Sequence, residues 1–228
     1  MKILIVIDQY DGANNGTTIS ARRFVKYLRK NGNTVKVLST GEKEVDKYVL
    51  KEVKLIPIAK QIIKSQGMTF AKADKEILET AIKEADVVHF YMPFKLSIEG
   101  MKIAQKLNKP MTAAFHVQPE NITSTLKLGN NETINNKIYE LFRDRFYNNF
   151  THIHCPSNFI ANQLKEHGYN AKLHVISNGI EKDFKYNKTE KPEDFKEKII
   201  ITMVGRLSEE KRQDLLIEAV KKSKYSEK

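Results

Sequence analysis

A chain of 228 residues with 40% hydrophobic content has apolar material for one large or two small globular domains, and a single cysteine, Cys155, excludes an internal disulfide and fits a reducing cytosol. No run approaches the roughly 18–20 apolar residues of a membrane-spanning helix, and the amino terminus turns acidic at Asp8, too soon for a signal peptide. The formal charge of +11 leaves nucleic acid, an anionic membrane or an anionic substrate open beside an ordinary lysine-rich surface.

Residues 2 to 7 form a continuous apolar run, the pattern of a parallel strand buried on both faces. The turn-rich loop Gln9 to Thr17 follows, then a helix with Ala21, Phe24, Val25 and Leu28 inward and Gly32 as its stop. Strand, glycine loop and helix raise a phosphate-binding reading. The dinucleotide fingerprint is absent, however: only three residues separate Gly12 from Gly16, no third glycine follows, and the strand Thr34 to Leu38 ends in Ser39 and Thr40 rather than an acid. Nicotinamide and flavin chemistry are therefore not expected. The outer face of the helix carries Arg22, Arg23, Lys26, Arg29 and Lys30, read as a solvated face or as a contact for anionic lipid head groups. Ile56 to Met68, bounded by Pro57 and Gly67, reads as a short connecting helix or an interfacial segment.

Helical spacing at Leu78, Ala81, Ile82 and Ala85 precedes a buried strand, Asp86 to Phe90, which ends at Tyr91-Met92-Pro93-Phe94. Loops at the carboxyl ends of parallel strands line the ligand crevice of α/β sheets, which places Tyr91 to Phe94 there. Ser97 is expected to cap the next helix, which Pro110 blocks. Met111 to Phe115 is a further strand, and His116 follows it, with Glu120 and Asn121 nearby. A histidine there either bonds to backbone or serves chemistry at neutral pH. The polar stretch Leu126 to Glu132, with Gly129, reads as a loop at the entrance of that crevice. A long helix, Thr133 to Asn149, mixes an apolar stripe with basic and aromatic residues, which packing explains better than nucleic-acid stacking. In Thr151-His152-Ile153-His154-Cys155-Pro156, strand alternation sends Cys155 to the face opposite both histidines, so no metal is expected there. Ser157 caps a helix to His167, Lys172 to Ile176 is the last strand of the domain, and Asn178-Gly179 is a turn. The charged stretch Glu181 to Lys198 reads as a linker. Beyond it the apolar run Ile199 to Val204 breaks at Gly205, and a helix is expected from Ser208 with Leu215, Leu216, Ala219 and Val220 inward. Arg206 and Lys211 project from the turn and helix start, a place that favours an anion such as a diphosphate.

The segment Gly205-Arg206-Leu207, with Lys211 four residues on, resembles the Gly-Arg-Leu-x-x-x-Lys segment of retaining GT-B glycosyltransferases of family 4 (glycosyl transferases group 1). The first loop, His116, Cys155-Pro156-Ser157-Asn158 and Ile176 to Ile180 are similar to further signatures of that family in the same order. The resemblance implies a Rossmann-like first domain over residues 1–180 on the acceptor side, a linker over 181–198, and the start of a donor-binding domain over 199–228. A member of the family continues well beyond this point, so this chain by itself is expected to be inactive or nearly so. Glu210 and Glu218 share the spacing of the family's Glu-x7-Glu motif but stand in the wrong helix, a chance match.

By the resemblance, Arg206 and Lys211 hold the diphosphate of a nucleotide-sugar donor, a UDP-sugar in the first instance, with Gly12, Gly16 and Asn178 lining the same cleft. His116 stands beside the transferred sugar, and Tyr91, Glu120 and Asn121 line the acceptor side. No Asp-x-Asp motif is present, so neither metal nor further cofactor is expected. The expected partners are the donor and a lipid, saccharide or protein-linked acceptor. An anionic membrane contact at the inner face of a bacterial membrane, a cytoplasmic location and self-association through the incomplete unit complete the expectation. Nucleic acid lacks a motif, and a non-catalytic acceptor- or membrane-binding module is the alternative.

Overall fold

In the computed structural model, which describes residues 1–11, 15–55, 63, 67–126, 131–205, 207 and 211–225, the amino-terminal apolar run is the middle of a sheet. Strand β1 (Lys2–Val6) is paired on one side with β2 (Thr34–Ser39) and on the other with β4 (Val87–Phe90), all parallel. From Leu4 onward neither face of this strand meets water, which is why Leu4 to Ile7 are apolar throughout rather than alternating. With β3 (Lys47–Val49), β5 (Met111–Ala114), β6 (His152–Cys155) and β7 (Lys172–Val175), the sheet has seven parallel strands in the order β3-β2-β1-β4-β5-β6-β7. The chain runs outward from β1 to β3, then returns across the sheet to β4. The direction of winding thus reverses between β1 and β4, and α/β sheets bind ligands beyond the carboxyl ends of the strands at such a point.

Helices α1 (Gly16–Lys30), α2 (Lys75–Glu84), α3 (Lys95–Lys106), α4 (Pro119–Thr125), α5 (Glu132–Arg145) and α6 (Asn158–Glu166) make the crossovers. Asn15 starts α1, its side chain accepting from the Thr18 N–H at 2.8 Å, and Ala21 and Val25 bury its inner stripe. Successive residues of β4 separate the two faces of the sheet. Phe24 of α1 lies against His89 and His154, whereas Phe90 meets Phe146 and Phe150 just beyond α5. Gly100 lets α3 come down on that second cluster: a Cβ there would stand 2.9 Å from the Phe90 ring.

Several local expectations are corrected. Ser97 does not cap α3, which starts at Lys95 behind Phe94; Ser97 lies buried in the first turn. The helix expected over 133–149 ends at Arg145, because Phe146 leaves helical dihedrals and a 3-10 turn, Tyr147–Asn149, carries Phe146, Tyr147 and Phe150 into the core. Ser157 does cap its helix, accepting from the Ile160 N–H at 3.3 Å. Residues 56–62, 64–66 and 127–130, which include most of the expected connecting helix and part of the expected entrance loop, lie outside the described residues.

The chain divides into two compact units, Met1–Gly179 and Ile180–Lys228. In the second, Ile199 to Val204 forms no strand among the described residues. A strand needs a neighbour for its N–H and C=O groups, and the described residues of this unit supply none. Its helix, α7 (Gln213–Lys221), starts five residues later than expected, behind Arg212 at φ 50°. None of the described residues of the unit is buried. Among the described residues, no helix is long and apolar enough to cross a membrane.

Candidate functional site

Three adjacent strands deliver one cluster of rings to the face beneath α1. His89 of β4 has Thr112 of β5 as its register partner, and His154 of β6 pairs with Ala114. Tyr91 lies two residues beyond His89 and His116 two beyond Ala114, so alternation keeps all of them on one face. The His116 ring stacks on Tyr91 with centroids 5.0 Å apart and planes 10° from parallel. His89 meets the same tyrosine edge-on at 5.2 Å, His154 meets His116 at 5.5 Å, and Phe24 closes the group over His89 and His154.

The hydrogen bonds of this cluster are incomplete. Nδ1 of His89 lies 2.7 Å from the Thr112 hydroxyl, and Nε2 of His154 donates to the Ile176 carbonyl at 2.7 Å. Nε2 of His89 and Nε2 of His116 are both sealed from solvent without a partner among the described residues. Burial pushes the pKa of both imidazoles down to about 3, and each further imidazole nearby acts in the same direction. Both are therefore neutral at pH 7, and each can offer a hydrogen bond without carrying a charge. His154 is lowered by burial too, against the opposing pull of the Ile176 carbonyl. His116 itself stays half-buried at the rim, whereas His89 is buried.

Two residues beyond β1, Asp8 lies fully inside the protein. Its Oδ1 accepts the Ala71 N–H at 3.0 Å, its backbone carbonyl accepts from Thr40 Oγ1 at 2.9 Å, and Oδ2 has no partner. Burial raises the carboxyl pKa from 3.8 to about 7, only partly offset by the Ala71 N–H. Thr18 Oγ1 donates to the Gln9 carbonyl at 3.2 Å, which ties the first turn of α1 to the same strand end. Gly16 opens α1, and a Cβ there would meet no described protein atom within 4 Å, so packing gives no reason for glycine.

The remaining expected residues are dispersed. Glu120 lies in α4 and accepts from the Tyr139 hydroxyl at 3.2 Å, bound into the helical layer; Asn121 is in the same helix. Asn178 gives its carbonyl, with that of Gly179, to Arg23 of α1. That contact and the Arg29 bonds to the Val35 carbonyl engage two members of the basic α1 face in the fold. Gly12 and Arg206 lie outside the described residues. Lys211 lies in the second unit beside Gly205, where a Cβ would meet its Cγ at 3.5 Å. Cys155 is buried opposite the histidines, its thiol pushed up by burial to about 11. Among the described residues no group of three or more His, Cys, Asp or Glu side chains could hold a metal ion.

Sequence reasoning gave no site role to Asp8 or His89, and placed Phe24 only on the inward face of its helix. Period-two alternation puts His89 beside Tyr91, but only the register across β4, β5 and β6 brings them to His116 and His154. A cavity of about 620 Å³, lined by Phe150, Thr151, Asn170 and Lys172 among others, lies at the opposite, amino-terminal ends of β6 and β7 and contains none of these residues.

Comparison with known proteins places this architecture. Over 182 residues the chain is 24% identical to alpha-monoglucosyldiacylglycerol synthase of Streptococcus pneumoniae, covering 79% of this chain and 41% of that protein. Its fold matches Anabaena HepE in complex with UDP and glucose, with a TM-score of 0.52, 13% identity, and coverage of 79% of this chain and 45% of that one. A Rickettsia africae glycosyltransferase matches at a TM-score of 0.44 with 18% identity, over 77% of this chain and 42% of that one. The chain thus spans less than half the length of these relatives, with a Rossmann-like sheet of the GT-B type. The family model for Glycosyltransferase Family 4 matches residues 14–184, three quarters of the chain, and the chain belongs to that family.

Proposed function

We propose that residues 1–180 are the acceptor-side domain of a glycosyltransferase that moves a hexose, with retention of anomeric configuration, from a nucleotide sugar to a lipid acceptor. Residues 181–198 act as the linker and 199–228 begin the donor-binding domain. The observation that carries the reading is the ring cluster beyond the carboxyl ends of the central strands, where neutral His116 stacks on Tyr91 and keeps a buried Nε2 without a partner among the described residues. The family membership supports transfer chemistry, and the name of the pneumococcal relative supports glucose and a diacylglycerol-type acceptor.

On this reading His116 hydrogen-bonds a sugar hydroxyl, and its low basicity keeps it from capturing the acceptor proton as a persistent charge. Gly16 leaves room for a phosphate against the start of α1, where a helix N-terminus favours an anion, and Gly12 is assigned to the same contact by the family resemblance. Arg206 and Lys211 neutralise the charge that develops on the leaving diphosphate as the bond to the anomeric carbon breaks, the acceptor oxygen takes its place and the acceptor proton passes to the departing phosphate oxygen. Tyr91 forms part of the wall of the acceptor side. UDP is the first nucleotide to try, and the protein works at the cytoplasmic face of the membrane that supplies the lipid.

The test uses the full-length protein that contains this chain. UDP-glucose, UDP-galactose and GDP-mannose are offered with diacylglycerol or monoglucosyldiacylglycerol in mixed micelles, and product lipid is counted. His116→Ala is expected to lower kcat by about 100-fold or more, the scale of losing one oriented hydrogen bond to a reacting group. Unchanged turnover in that variant, or no transfer from any donor to any lipid, overturns the reading.

A further inference from the structure

Five of the six histidines lie on the α1 face of the sheet, and only three of them belong to the ring cluster. The other two, His152 of β6 and His174 of β7, meet across the last strand pair. Nδ1 of His152 is 2.9 Å from Nε2 of His174, with ring centroids 5.1 Å apart and planes inclined by 48°. His152 is exposed and His174 half-buried, so both nitrogens can be reached from solvent. Neither neighbour in the sequence competes for them: His154 is committed to the Ile176 carbonyl, and Cys155 points into the core.

The spacing of the two nitrogens fits more than a shared proton. Imidazole ligands bind zinc at about 2.0–2.1 Å, so two of them at a right angle on one ion are about 2.9 Å apart, and at the tetrahedral angle about 3.3 Å. The observed 2.9 Å lies within the range of nitrogen separations that such a site requires. We propose that His152 and His174 form a bidentate site for a divalent transition-metal ion of the zinc, nickel or copper class. Imidazole nitrogen suits these ions and not magnesium or calcium. Water fills the remaining positions.

The site would join β7, the edge strand of the sheet, to β6, just before the chain leaves the sheet at Ile176. Its effect is a clamp on an edge that otherwise depends on one ladder of hydrogen bonds. Ligation needs neutral imidazoles, so acid releases the ion.

The test is calorimetric titration of the tag-free chain with zinc, nickel or copper chloride in a non-chelating buffer, alongside thermal unfolding. One ion per chain is expected, with the melting temperature raised by about 3–5 °C at tenfold excess over Kd. His152→Asn and His174→Asn should each weaken binding by about 100-fold, the advantage of two ligands held together, and abolish the thermal shift. His167→Asn, which removes the one histidine away from this face, should leave both unchanged. Copper bound to the wild type should show two nitrogen ligands by electron paramagnetic resonance. Near-ultraviolet circular dichroism of each metal-free variant establishes that it is folded before titration. Absence of binding by the wild type, or binding that survives the double variant His152→Asn/His174→Asn, overturns the proposal.

Discussion

Replacing Asp8 with asparagine separates the cost of a buried charge from everything else that titrates in this protein. In the folded chain the carboxyl is raised from 3.8 to about 7 by burial, so between those values the folded state holds a proton that the unfolded state has lost. Stability from this group is therefore fully present below pH 3.8 and falls as pH rises through about 7, a total of about 4 kcal/mol. Between pH 5 and pH 8 the loss is about 2–3 kcal/mol. Asparagine keeps the carbonyl that accepts the Ala71 N–H and cannot ionise. Its amide places an unpaired donor where Oδ2 was, at a cost of about 1–3 kcal/mol that does not depend on pH. Urea unfolding of both proteins at pH 5, 6, 7 and 8 gives the comparison. The chain has no tryptophan, so near-ultraviolet circular dichroism of its buried tyrosines, among them Tyr91, Tyr139 and Tyr147, reports the first unit. The variant should gain about 2–3 kcal/mol on the wild type from pH 5 to pH 8, since every other carboxylate and histidine cancels in the difference. A difference that stays flat, or that moves in favour of the wild type as pH rises, refutes the argument.

His116 should act with the opposite sign: its folded pKa is lowered to about 3, so stability from keeping it neutral is present above pH 6.5 and is lost as pH falls towards 3. Acid unfolding of His116→Phe, followed by circular dichroism, should therefore begin at lower pH than in the wild type. Gly100→Ala should destabilise by about 1–2 kcal/mol in urea, because a Cβ 2.9 Å from Phe90 strains a ring already held by Phe146 and Phe150, and that strain exceeds the roughly 0.5–1 kcal/mol of helix propensity gained.

The central strands could be read from the sequence because burial on both faces leaves a continuous apolar run, as in Ile3 to Ile7. Their capped helices were equally plain at Ser157, where a hydroxyl precedes a helical stripe. Strand β3 was not legible: Lys47-Tyr48-Val49 is half-buried at an edge, and it depends on the contact of Tyr48 with Glu84 and Lys36, distant in sequence. Ile199 to Val204 shows the converse, an apolar β-branched run without a paired strand among the described residues. Of the candidate site, Tyr91 and His116 followed from their place after strands. Asp8 and His89 did not, because the properties that mark them, a carboxyl near 7 and an imidazole near 3, arise from surroundings that only the assembled sheet creates.

The distribution of unpaired polar atoms argues where this fold gives up stability. Among the described residues five buried side-chain atoms lack a partner: Asp8 Oδ2, Gln9 Oε1, His89 Nε2, Ser97 Oγ and His116 Nε2. Each costs about 1–3 kcal/mol, and a core built only for stability would replace them with apolar groups of the same shape. Their placement is uneven. Asp8 and Gln9 follow β1, Ser97 is in the first turn after β4, and His116 follows β5, while His89 lies in β4 one residue from its end. All five come from the three strands at and beside the reversal of winding, and none from β2, β3, β6 or β7. Departures from internal consistency concentrate at functional sites, where polar groups are kept for something other than the fold. Tyr91 follows β4 at the same level, and the start of α1 is tied to the end of β1 through Thr18. Unpaired atoms, ring stacking and the topology of the sheet thus point to the carboxyl ends of the same three strands, and there His89 and His116 combine the first two.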